Sequence, residues 1–84
     1  MISAEKAILG KRAEATSEFL VLVTEAAEYQ IPWSECSSRL ATATDEQRKR
    51  LVLSPSGYGI HWPLIDEDLS VKGLVSRKPG RLVT

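Results

Sequence analysis

Apolar side chains crowd into the first half of this chain, and where they alternate with polar ones they suggest strands. Phe19-Leu20-Val21-Leu22-Val23 is the longest unbroken apolar run, and Tyr29-Gln30-Ile31 alternates before Pro32. Branched and aromatic residues in these patterns suit short strands over 18–23 and 28–32, joined through residues 24–28. A helix fits the same stretch. Ala15, Phe19, Leu22, Val23 and Ala26 fall at helical spacing, and Glu25-Ala26-Ala27-Glu28 is a strong helix former. Periodicity alone leaves residues 14–28 open between hairpin and helix. Pro32 lacks an N–H for a central ladder, so it marks a strand's edge or end.

Beyond Pro32 the punctuation is clearer. Ser34 is placed to cap a helix over 34–40, with Glu35 in the first turn, where the helix dipole favours an anion. Thr44 followed by Gln47 is a capping box, which predicts a helix over 45–50. The period then changes. Strands are expected over 51–54 and 58–62, with Ser54-Pro55-Ser56-Gly57 as the turn between them. Asp66-Glu67-Asp68 leads to Ser70, a cap for a helical turn over 70–75. These elements predict an α+β fold with a short antiparallel sheet. The single domain spans residues 17–76, between an N-terminal arm (1–16) that reads as helical or frayed and a loose tail (77–84).

An 84-residue chain buries only about 60–65% of its unfolded surface on folding, so a partner or a second copy is a reasonable source of added stability. Eleven basic and eleven acidic side chains give a net charge of zero. That balance supplies no field for steering onto nucleic acid or an anionic membrane, and it favours self-association. No apolar run approaches the roughly 20 residues of a membrane-spanning helix, and residues 1–10 have no signal-peptide pattern. A single cysteine, Cys36, excludes an internal disulfide and points to a reducing compartment. The cytoplasm is the expected location.

Pro32-Trp33, Arg39-Leu40, Ala43-Thr44 and Gln47-Arg48, followed by Gly57-Tyr58-Gly59-Ile60-His61-Trp62-Pro63, Asp66-Glu67-Asp68-Leu69-Ser70-Val71 and Gly73-Leu74, resemble the bacterial domain of unknown function family 2442. The similarity covers roughly residues 17–76 and is most specific in its C-terminal half. It implies a small α+β domain and favours strands within 14–28. In that family an Asp-Gly-Arg turn usually joins the first two strands, where this chain has Glu25-Ala26-Ala27-Glu28. Because Ala does not take up positive φ as cheaply as Gly, the substitution implies either a different turn or a helix. The resemblance brings no assigned reaction and no functional residues. It implies small cytoplasmic proteins, often encoded beside another short protein in toxin–antitoxin-like pairs.

The candidate chemistry is sparse. His61 with Asp66 and Asp68 offers ligand types that suit zinc or manganese, or an acid–base pair. One His without a second ligand cluster falls short of a metal site, so neither metal nor cofactor is expected. On a strand His61 points away from Ile60 and Trp62, toward a polar face or a nearby acid. Trp33 and Trp62 suit core or interface packing better than a stacking platform. Asp66-Glu67-Asp68 reads chiefly as a solvated approach to the Ser70 helix. His61, Trp62, Asp66, Glu67 and Asp68 together form the candidate functional surface. Arg48-Lys49-Arg50 is the candidate basic patch, but three cations at a helix C-terminus are explained by the dipole and are too few for a nucleic-acid footprint. Cys36 reads as a buried structural thiol.

The leading expectation is a non-enzymatic domain that binds itself or another protein, as the antitoxin-like or regulatory member of a gene pair. The alternative is a small ligand-binding or enzymatic domain centred on His61 with Asp66 or Asp68. A further alternative is DNA contact through Arg48, Lys49 and Arg50 within a larger complex.

Overall fold

A computed structural model describes residues 8–76 and the backbone of Leu82 and Val83. Residues 14–28 form a hairpin. Strand β1 (Gly10–Ala15) pairs antiparallel with β2 (Phe19–Thr24), which pairs with β3 (Glu28–Pro32). A helix would spread the all-apolar 19–23 run around its circumference. In a strand, Leu20, Leu22 and Thr24 are buried on one face while Phe19, Val21 and Val23 take the other.

A threonine closes each hairpin. Thr16 Oγ1 accepts from the Phe19 and Glu18 amides at 2.8 and 3.2 Å and donates to Phe19 O at 3.0 Å. Thr24 Oγ1 accepts from the Ala26 and Ala27 amides, both at 3.2 Å, and donates to Ala27 O at 3.1 Å. Among the described residues, φ is positive only at Asp66 and Gly57. The hydroxyl therefore does the work that a left-handed glycine does in other hairpins, and alanines fit the turn.

Three short helices follow: α1 (Trp33–Cys36), α2 (Ser38–Ala41) and α3 (Asp45–Lys49). The helix expected over 34–40 is broken. Ser37 is extended (φ −170°, ψ 161°) and caps α2 by accepting from the Leu40 amide, whereas Pro32 precedes α1 with no side-chain cap. Ser37, not Ser34, is thus the capping serine. The capping box of Thr44 and Gln47 forms in full.

Strands β4 (Val52–Leu53), β5 (Gly59–Trp62) and β6 (Glu67–Ser70) build a second antiparallel sheet in the order β4-β5-β6. Helix α4 (Val71–Ser76) follows, with Ser70 Oγ accepting from the Gly73 amide at 2.9 Å. Strand β7 (Leu82–Val83) then pairs with β3, giving the first sheet the order β1-β2-β3-β7.

The α+β class is as expected, and further details differ. Among the described residues the strands form two sheets, and those expected over 51–54 and 58–62 lie in the second as β4 and β5. Residues 10–15 of the expected helical or frayed arm form β1, because Ala13 and Ala15 lie opposite Leu22 and Leu20 and pack on the core; residues 1–7 lie outside the described residues. Of the expected loose tail, residues 82–83 pair with β3, and the rest lies outside the described residues.

The core lies between the sheets. Leu20, Leu22 and Ile31 come from the first sheet and Ile60 and Trp62 from the second, closed by Trp33, Cys36 and Leu40 and by Val71 and Leu74 of α4. The two indoles meet edge to face, with centroids 6.4 Å apart and planes at 83°. The sheets join at two glycines: Gly10 N–H donates to Gly57 O at 2.7 Å. Gly57 has φ +82°, and a Cβ there would sit 2.6 Å from Gly10 O, so glycine is required on both counts.

Candidate functional site

Alternation along β5 buries Ile60 and Trp62 and turns His61 outward. The register sets His61 opposite Asp68 on one side and Val52 on the other. Directly opposed residues share a face, and His61 Nδ1 lies 2.8 Å from Asp68 Oδ1. The pair is wet, with 43% of the His61 side chain and 75% of the Asp68 side chain exposed. Both line an open groove of about 420 Å³ with Ser54, Ser56, Tyr58 and Ser70.

A carboxylate on one ring nitrogen orients an imidazole and leaves Nε2 for a ligand. Ser54 Oγ accepts from the Gly59 amide and Ser70 Oγ from the Gly73 amide. Among the described residues no serine hydroxyl hydrogen-bonds His61.

The three acids do not converge on one place. Asp66 occupies a turn with φ +52°, a conformation that Asp tolerates better than most residues, and its carbonyl and that of Ile65 accept from Arg39 Nη1 at 3.4 and 3.0 Å. Glu67 lies opposite the inward-facing Trp62, so it projects to the other side of the sheet from Asp68. The acids belong to a turn and to β6, which corrects their reading as the approach to a helix. Among the described residues, no three His, Cys, Asp or Glu side chains converge. Trp62 is fully buried, its Nε1 donating to Arg48 O at 3.2 Å, and has no place on the surface.

The basic patch is divided too. Arg48 turns inward: Nε and Nη2 donate to the Leu40 and Ala41 carbonyls at 3.0 and 3.1 Å, and the guanidinium lies 5.1 Å from the Trp33 ring centroid. Arg50 pairs with Glu46 at 2.9 Å, and Lys49 is exposed. Cys36 is buried.

A second surface carries no motif in the sequence. On the outer face of the first sheet Phe19, Val21 and Val23 form a half-buried apolar stripe along β2, outside the core. Arg12 and Val23 are in register with Glu28, and Glu14 and Val21 with Gln30. The signal was present, because a strand apolar at every position has two apolar faces and only one can meet its own core.

Two small antiparallel sheets around one core, with short helices packed against it, define a small α+β domain. The chain belongs to the family described as "Protein of unknown function (DUF2442)", which it matches over residues 12–80. A crystal structure of a protein of unknown function from Rhodospirillum rubrum is similar, with a TM-score of 0.74 and 26% sequence identity over 84% of this chain and 88% of that one. No curated protein matches the chain. Among the described residues no helix is long and apolar enough to cross a membrane.

Proposed function

We propose that this chain is a non-catalytic interaction domain that works in the cytoplasm by binding protein, as the antitoxin-like or regulatory member of a gene pair. The supporting observation is the stripe of Phe19, Val21 and Val23 on the central strand of the first sheet, flanked by Arg12, Glu14, Glu28 and Gln30. Single exposed apolar side chains are ordinary, whereas a contiguous apolar strip rimmed by charge is how small domains present a binding face. The paired His61 and Asp68 in their groove favour a second reading, capture of a small polar ligand. DNA contact keeps less support, because Arg48 is committed to backbone carbonyls and Arg50 to Glu46.

One experiment separates these readings. The tagged chain is co-expressed with its neighbouring gene and captured as parent, Val21→Asp and His61→Ala, with the fold of each checked by thermal melting. A stoichiometric protein held by the parent and His61→Ala but lost from Val21→Asp is the expected result. Loss on His61→Ala instead transfers the function to the groove. A chain that captures no protein and is monomeric throughout refutes the interaction reading.

A further inference from the structure

We propose that the outer face of the first sheet binds a second copy of this chain, face to face, about a two-fold axis running along β2. The proposal rests on the interaction reading above and names the occupant of that surface. Its basis is the order of charges in the rows across the sheet. One row holds Arg12, Val23 and Glu28, and the next holds Glu14, Val21 and Gln30, always in the sequence β1, β2, β3. A half-turn about an axis along β2 exchanges the β1 and β3 sides and keeps every row at its height. Arg12 then stands over Glu28 of the second copy and Glu28 over its Arg12, while Glu14 meets Gln30 twice. Val21, Val23 and Phe19 meet their own counterparts along the axis.

Two sheets stacked about 10 Å apart, with strand directions within about 30°, are the ordinary aligned sandwich, and long Arg and Glu side chains span that gap. The orientation is specific. A half-turn about an axis across the strands, through the Val21 row, sets Glu14 over Glu14 of the second copy and brings Arg12 opposite no acid. Zero net charge removes the general repulsion between copies that would oppose a weak contact. The face is small, β7 adding only two residues beside β3, so the contact belongs to the transient class that buries less than about 1,200 Å².

Sedimentation equilibrium from about 10 µM to about 1 mM, a range that covers weak association, tests the proposal with Arg12→Glu, Glu28→Arg and the double variant. Each single change is expected to weaken dimerisation at least about tenfold, and the double variant to restore it to within about threefold. Within one chain, residues 12 and 28 are two strands apart, about 9–10 Å, and Arg12 pairs with Glu14 at 3.3 Å. Rescue by the double change therefore reads the contact between copies. A dimer unaffected by the single changes, or not rescued by the double, overturns this geometry. If the chain is monomeric at every concentration while a different protein is still captured through Val21, self-pairing is overturned and the interaction reading stands.

Discussion

Replacing Arg48 with alanine is expected to cost this domain most of its stability. The guanidinium donates to two carbonyls at the end of α2 and lies 5.1 Å from the Trp33 ring centroid, with its side chain 13% exposed. Hydrogen bonds from a charged donor contribute about 1.5 kcal/mol each at the low end, and a partly desolvated cation–π contact about 0.5–1 kcal/mol. The pairing with Asp45, at 3.7 Å and with that carboxylate 61% exposed, adds little. The sum is about 3.5–4 kcal/mol, against a net stability of about 3–5 kcal/mol for a core of this size. Since 1 kcal/mol moves the melting temperature of such a domain by about 4–8 °C, Arg48→Ala should melt at least about 12 °C lower. Arg48→Lys should recover less than half of this, because an ammonium cannot serve two carbonyls in the planar fork of a guanidinium. Arg50→Ala breaks only an exposed i,i+4 pair and should cost about 0.3–0.5 kcal/mol. Thermal and urea unfolding of the four proteins, parent included, decides the matter. An Arg48→Ala melt within about 3 °C of the parent, or equal to that of Arg50→Ala, would refute the reasoning.

Two further substitutions probe turns. Gly57→Ala combines a left-handed backbone, about 1–2 kcal/mol for a residue with a Cβ, with displacement of the Gly10–Gly57 hydrogen bond, about 1 kcal/mol. A fall in melting temperature below about 8 °C would contradict that account. At Asp66, where φ is +52°, Gly should be neutral and Val should lose about 1–2 kcal/mol in urea unfolding; a costly Asp66→Gly would point to a role for the carboxylate that the turn does not require.

How much of this was legible in the sequence depended on whether the controlling interaction was local. The Thr44–Gln47 box and the outward turn of His61 follow from spacings of three and two residues, and both form. The break at Ser37 was hidden because the signal was divided between two serines, and Ser37 caps α2 in an extended conformation that leaves Ser34 unused. β1 was missed because its inward residues, Ala13 and Ala15, are small and weakly patterned, and they become a strand only against Leu22 and Leu20. For the candidate surface, alternation predicted where Ile60, His61 and Trp62 point. It did not predict that Arg48 would fold back over Trp33, which requires two helices to meet. The groove is likewise a product of tertiary structure, since Ser54, Ser56 and Tyr58 reach the His61–Asp68 pair only through the turn between β4 and β5.

The edges of the first sheet also bear on solubility. A neutral chain has little colloidal repulsion, so exposed strand edges are where runaway β-aggregation would begin. At one edge the β1 register shifts between Gly10 and Arg12, and the edge carries Lys11, Arg12 and Glu14; at the other, β7 covers Glu28 and Tyr29 of β3. A bulge and a row of charges make poor templates for another strand. Edge pairing can be repeated without limit, whereas a face consumed by one neighbour is closed to the next, so a pair formed through the proposed outer face would stop at two.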